Sequence, residues 1–307
     1  MTSVKKYYLG LIVAIASVSF AAVLIVSTDT APLTIAFYRL LFTTLLLLPF
    51  LLMPRYRAEL ASLPRSRVYL MTGIGVVQAG HFAFWITSLE YTSVASSVIL
   101  VTAHPVLVTP LAAAVLKERY TGVNAAGIGL SLLGVSILVL GNYGLEAATL
   151  KGNLLAMLGG AAAGIYILGG RSMRRTVSTP AYAITVYGVA AAVLLTLCLA
   201  FRAPLASMHG WDLGLIMLMA LGPGILGHTL YNWSLKYVRA GVASVSLLGE
   251  PLGSSLLALA IPWIRQVPTL YTLAGGCFIL LGIYLASRHG EEQTGPHDGD
   301  PGEASVL

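Results

Sequence analysis

The sequence predicts an all-α polytopic membrane protein, with ten transmembrane helices arranged as two inverted five-helix repeats. Three observations predict it: a composition too apolar for water, basic residues that alternate from loop to loop, and short motifs repeated at a nearly constant offset. The chain is 57% hydrophobic and 10% charged. A soluble domain carries roughly 25% charged residues, so this chain has too little polar surface to face water. Its apolar runs of about 20 residues lack period-2 alternation. They require helices rather than a barrel, because a helix satisfies its backbone hydrogen bonds within itself.

Apolar runs bounded by charges and turn residues predict spans at about 7–27, 32–53, 68–88, 93–116, 122–140, 152–169, 180–201, 212–235, 241–262 and 268–287. The sixth is short and rich in Gly and Ala. The first is followed by Asp29 and Pro32 instead of a small-residue cleavage site, and reads as a retained span, not a signal peptide. With the N-terminus in the cytoplasm, 14 of the 18 basic residues fall in inside segments, among them Lys5, Lys6, Arg55, Arg57, Lys117, Arg119, Lys236 and Arg288. Lys151, Arg202 and Arg265 fall outside, and Arg39 falls within a span. This bias predicts a plasma-membrane protein with both termini cytoplasmic. The polar, turn-rich stretch 289–307 reads as a disordered cytoplasmic tail.

At a shift of 146 residues, Ser88-Leu89-Glu90-Tyr91 aligns with Ser234-Leu235-Lys236-Tyr237, and His104-Pro105 with Glu250-Pro251. At 148, Pro32 meets Pro180, Gly127 meets Gly275 and Gly134 meets Gly282. These matches keep chain order, which predicts a duplicated unit: residues 1–145 and 146–288. Five spans being odd, the second unit enters the membrane inverted. In secondary transporters that arrangement places the substrate near the midplane between repeats.

Several functions are excluded by what the chain lacks. Cys198 and Cys277 lie in separate apolar runs, and no CxxC or Cys/His ligand spacing occurs, so neither metal nor cofactor is expected. The net charge of +6 is scattered through short loops, which argues against nucleic acid. An intramembrane enzyme, the first competing class, is disfavoured because HExxH, GxSxG and an Asp within any span are all missing. A channel or a receptor is the second. The expected partners are a small-molecule substrate and membrane lipids, with the chain acting as a monomer or homodimer.

Pro32 followed by the in-membrane Arg39, the segment Leu247-Leu248-Gly249-Glu250-Pro251, and the following Gly275 to Gly282 helix together resemble the EamA type of the drug/metabolite transporter superfamily. The first-half counterpart, His104-Pro105 through Leu116-Lys117-Glu118-Arg119 to Gly127 and Gly134, is similar, except that His104 stands where the second half has Glu250. The resemblance covers about residues 7–288 and implies a secondary active transporter, an exporter or exchanger of small polar metabolites, working by alternating access. It also implies that spans 2, 3, 4, 7, 8 and 9 line the cavity.

Candidate site residues are the polar groups the spans cannot hide. Arg39 and Glu250 are the ionisable ones well inside spans, joined by His81, His104 and His228. A charge at the bilayer centre costs at least about 2.5 kcal/mol, so such groups should face a cavity or a partner. Arg39 and His81, each about seven residues from the outer end of its span, are expected roughly 10 Å deep in one outer vestibule. Gln78, His81, Trp85 and Ser88 form one stripe on span 3. That stripe suits a binding pocket, the alternative being an interhelical hydrogen bond for His81 and an interfacial anchor for Trp85. The repeat places His228, with Tyr231 and Asn232 on its face, opposite His81 near the inner end. Gly222-Pro223-Gly224 predicts a kinked or unwound stretch just before it, serving either the cavity or packing alone. Glu250 is either a proton carrier or a structural carboxylate holding backbone N–H groups near Pro251. The small residues Gly159 to Gly164 read as scaffold. With Tyr38 and Tyr187, this mixture of a cation, a carboxylate, imidazoles and aromatics suits a small zwitterion such as an amino acid.

Overall fold

The computed structural model describes residues 3–106, 121–141, 147–174, 176–206, 208–234, 247 and 249–288. Its α-helices are α1 (Ser3–Ser19), α2 (Ala21–Val26), α3 (Pro32–Leu47), α4 (Pro54–Ser62), α5 (Arg65–Ser88), α6 (Val94–Thr102), α7 (Gly122–Gly141), α8 (Ala147–Arg174), α9 (Thr179–Ala200), α10 (Gly210–Met219), α11 (Leu230–Ser234), α12 (Gly249–Ala260) and α13 (Leu270–Arg288). A π-helical stretch, Ala220–Thr229, joins α10 to α11. No strand occurs among the described residues. Helix starts follow local chemistry. Ser93 Oγ accepts the Ser96 N–H at 3.1 Å to cap α6, and proline occupies the first turn of α3, α4 and α9, where a missing N–H is harmless.

Among the described residues, six helices are long and apolar enough to cross a membrane: Lys6–Val26, Pro32–Leu52, Arg65–Ser88, Ala147–Arg174, Thr179–Ala200 and Gly210–Ser234. Shorter apolar helices run over Gly122–Leu138 and Leu270–Gly282. The predicted fourth and ninth spans are described as α6 and α12. Their continuations, residues 107–120, 235–246 and 248, lie outside the described residues, as does the predicted tail 289–307. The Leu116-Lys117-Glu118-Arg119 motif and Leu248 therefore fall outside as well.

Two boundaries differ from expectation. The sixth span, predicted as short, is a helix of 28 residues. Its charges do not end it because they find partners: the Lys151 ammonium sits 3.9 Å from the centre of the Tyr91 ring, and Arg174 Nε donates to the Asn232 carbonyl at 3.2 Å. The segment before span 3, expected as an inside loop, contains α4, whose Glu59 accepts the Ser178 N–H at 2.6 Å and so ties this short helix to the start of α9.

Packing follows a regular scheme. α5 lies along α8, and the helix Gly210–Ser234 lies along α1; α6 meets α8, and α12 meets α1. Three more pairs join α3 with α9, α6 with α12, and α7 with α13. With the predicted spans numbered one to ten, exchanging the first five with the last five maps every one of these pairings onto another or onto itself. Lipid supplies no hydrophobic contrast, so close backbone approach and interhelical hydrogen bonds hold the pairs together. In α7 and α13, Ser131 Oγ donates to the Ile279 carbonyl at 3.3 Å.

Candidate functional site

A cavity of about 60 Å³ lies between the halves, bounded by His81, Trp85, His104, Tyr166, His228, Tyr231 and Glu250 with Thr102 and small residues of α1 and α8. At roughly 15 Å³ per water, it holds about four water-sized groups. Its geometry begins on α5, where 3.6-residue periodicity puts His81 and Trp85 on one face. Gly159 has no side chain, so α8 comes within 3.1–3.3 Å of where a Cβ would meet Trp85 and His81 backbone atoms. This lets His81 Nδ1 reach the Gly159 carbonyl at 2.9 Å. A carbonyl only accepts, so His81 Nδ1 carries a proton. The His81 and Trp85 rings stack, with centroids 5.9 Å apart at 9°. His228 meets His81 edge-on at 6.4 Å. His104 Nε2 and the Tyr231 hydroxyl are buried without a hydrogen-bond partner among the described residues. Glu250 lies in the first turn of α12 and, among the described residues, its carboxylate makes no hydrogen bond.

Arg39 lies beside this cavity without bounding it. It is fully buried, and its guanidinium carbon is 4.5 Å from the centre of the Phe82 ring and 5.9 Å from that of Trp85. None of its three nitrogens has a hydrogen-bond partner among the described residues. A desolvated cation–π contact is worth about 2 kcal/mol, whereas burying an ion costs several kcal/mol. The rings offset part of the cost, and the Glu250 carboxylate, near enough to interact with Arg39 through charge, offsets more. Gln78, also fully buried, leaves both carboxamide atoms unpartnered, and so does the Trp85 indole nitrogen.

Outside this layer, Asp29, Thr30, Glu90 and Pro204 rim a vestibule of about 520 Å³ that reaches in as far as Ile35 and Ile86. On α3 Arg39 follows Ile35 by four residues, and on α5 Phe82 precedes Ile86 by four, so the arginine layer sits one turn beneath the vestibule. On the opposite side a larger vestibule of about 910 Å³ is bounded by Arg55, Glu59, Arg174, Ser178, Ile225 and Thr229. Between it and the cavity runs a polar network. Asn232 Nδ2 donates to Tyr166 Oη at 2.6 Å, Tyr187 Oη at 3.2 Å and the His228 carbonyl at 2.8 Å. Thr229 Oγ1 donates to Tyr187 Oη at 3.4 Å and to the Gly224 carbonyl at 3.0 Å. Arg174 holds this corner through the Asn232 and Val177 carbonyls and the Thr179 hydroxyl.

The expected interruption in the eighth span is the π-helical stretch, with Pro223 inside it. Proline cannot donate to the preceding turn, and a wider turn accommodates the loss without unwinding the helix. His228 and Thr229 lie at its end and Asn232 one turn on.

Six sequence candidates, His81, Trp85, His104, His228, Tyr231 and Glu250, meet at one cavity. Tyr187 and Asn232 form the network beneath it, and Arg39 lies beside it against the Phe82 and Trp85 rings, whereas Gln78 is about one turn beyond His81 on α5, on the side away from Trp85. Other expectations are corrected. Neither Arg39 nor His81 bounds the outer vestibule, because Ile35 and Ile86 cover that level. His228 is a neighbour of His81 rather than its opposite number across the cavity. Trp85 is buried and is no interfacial anchor. Tyr38 is turned outward, its hydroxyl donating to the Leu205 carbonyl at 3.0 Å. Spans 2 and 7 do not bound the cavity; spans 1 and 6 do, through Ala14, Val18, Ala21, Ala163, Tyr166 and Ile167. Sequence reasoning missed Tyr166 and the Gly159 carbonyl, both on the helix read as scaffold. The run of small residues was itself a signal, since it brings another helix's polar face within bonding distance.

The profile of the EamA-like transporter family matches residues 5–140 and again 150–288. An uncharacterized transporter of Archaeoglobus fulgidus is 28% identical over 258 residues, covering 83% of this chain and 87% of that protein. The uncharacterized transporter YyaM of Bacillus subtilis is 26% identical over 228 residues, covering 71% and 72%. A solved crystal structure superposes with a TM-score of 0.67 at 20% identity, covering 92% of this chain and 98% of that one. The shared property there is the fold.

Proposed function

Since the chain belongs to the EamA-like transporter family, we propose that it is a secondary active transporter that carries a small polar metabolite, such as an amino acid, out of the cell or in exchange across the plasma membrane. Ten spans form two inverted repeats, residues 1–145 and 146–288, with both termini cytoplasmic and a tail over 289–307. The pairings named above support this, since exchanging the halves maps them onto one another as a two-fold axis in the membrane plane requires, although the packing of α3 on α5 has no comparable counterpart between α9 and the helix Gly210–Ser234. The site residues are Arg39, Gln78, His81, Trp85, His104, Tyr187, His228, Tyr231 and Asn232, with Glu250 coupling a proton or supporting the helix start.

One observation carries the reading: a small cavity lies between two vestibules, with Ile35 and Ile86 at the inner end of one and the Thr229, Tyr187, Asn232 and Tyr166 network on the side of the other. A channel needs a continuous path, whereas a carrier needs two barriers that open in turn.

Counterflow in vesicles tests it. The reconstituted protein, loaded with unlabelled amino acids and given one labelled amino acid outside, should show a transient overshoot of label that an empty vesicle lacks. Simple equilibration without overshoot would point to a channel, and recovery of chemically altered label would point to an enzyme.

A further inference from the structure

We propose that Arg39 and Trp85 form the subsite that receives a carboxylate of the transported solute, an inference that rests on the central cavity being the transport site. Arg39 is fully buried and Trp85 is 3% exposed. Four nitrogens that carry protons, Arg39 Nε, Nη1 and Nη2 and Trp85 Nε1, have no hydrogen-bond partner among the described residues. Buried donors left unmade are costly. Four such donors are complementary to a group rich in acceptors and poor in protons.

The two groups are neighbours: the Arg39 guanidinium lies against the Phe82 and Trp85 rings, and Trp85 bounds the cavity. A guanidinium offers a planar fork whose paired N–H groups match the two oxygens of a carboxylate. Glu250, contributed by the other half, faces the same cavity. A solute carrying both a carboxylate and an ammonium group would therefore meet a charge of opposite sign at each end, and its size is limited by a cavity of about 60 Å³.

Thermal unfolding of the purified full chain, with acetate, alanine, inorganic phosphate or ethylamine added, tests the assignment. Acetate and alanine should raise Tm, alanine more; phosphate should do so less than acetate, and ethylamine not at all. In Arg39→Gln the carboxylate-induced rise should be lost. In Arg39→Lys, which keeps the charge without the fork, the concentration needed should rise about tenfold or more. A rise that survives in Arg39→Gln, an unchanged carboxylate affinity in Arg39→Lys, or stabilisation by phosphate above acetate would overturn the proposal. Counterflow separates this from the transport reading. Exchange of a cationic or neutral solute that neither acetate nor alanine inhibits would remove the subsite and leave transport standing. No exchange of any solute would remove both.

Discussion

Gly134 and Gly275 face each other so closely that a Cβ built on either would sit 2.6 Å from the other's carbonyl oxygen. Gly282 repeats the contact one helical stretch away, its Cβ falling 2.5 Å from the Gly127 carbonyl oxygen. The partner number rises as the first falls, so α7 and α13 run antiparallel. At the offset of 148 residues that aligns Gly127 with Gly275 and Gly134 with Gly282, each contact is the image of the other. Such a pair of contacts is what the proposed inverted repeat would produce.

The first prediction follows from that contact. Gly275→Val places its side chain against backbone atoms that cannot turn aside, so the two helices must separate. A loss of about 1–3 kcal/mol in unfolding free energy is expected. Gly129→Ala on the same α7, where nothing lies within 4 Å of the added carbon, should cost nothing measurable. Equal melting temperatures for the two variants would refute the close pairing.

The polar network below the cavity should be both structural and functional. Asn232→Leu leaves the Tyr166 and Tyr187 hydroxyls without their shared donor, at an expected cost of about 1–3 kcal/mol. Counterflow should fall by more than the loss of folded protein explains. Tyr187→Phe removes the hydroxyl that accepts from Asn232 and Thr229 but leaves the Asn232 bonds to Tyr166 and the His228 carbonyl, and should be milder; a Tyr187→Phe defect larger than that of Asn232→Leu would show that Asn232 is not the hub.

Glu250→Gln should fold, because a carboxamide occupies the same volume and the carboxylate makes no hydrogen bond among the described residues. If the carboxylate carries a proton during the cycle, the dependence of uptake on pH between about 5 and 8 should change in this variant. A profile superimposable on that of the wild type would remove the proton-carrier role and leave Glu250 as a structural or substrate-facing group.

At the membrane edge, Glu59→Ala should uncouple α4 from α9. The carboxylate supplies a hydrogen-bond acceptor and a negative charge to the start of a helix, together worth about 1–2 kcal/mol. Faster amide exchange over Pro54–Ser62 and at Ser178 is the expected readout. Unchanged exchange would mean that α4 is held by its other contacts, such as the Phe50 and Tyr56 rings 5.9 Å apart.

Hydropathy makes helices legible because lipid forbids unpaired backbone, so the long spans could be read with little error. The polar residues within them were also legible: a histidine such as His81 or His228 is too costly to face lipid, and both are found at the cavity. What hydropathy does not encode is which neighbour an apolar or small residue faces. Ala14, Ala163 and Ile167 would look the same against lipid, and Tyr166 was hidden among glycines and alanines. Depth alone put Arg39 in the outer vestibule. The bulk of Ile35 and Ile86, one turn away, shuts it off, and sequence spacing gives no measure of that.

The wide coil at Ala220–Thr229 has a bearing on how this family can diverge. Each additional residue held in such a coil rotates all that follows by about 100° relative to an unbroken α-helix. Replacing Pro223 with a residue that lets the coil tighten would therefore swing His228 and Asn232 to a different compass bearing while leaving the composition of the membrane span untouched. Selectivity in such proteins can drift by rewinding a helix as well as by exchanging the side chains it presents.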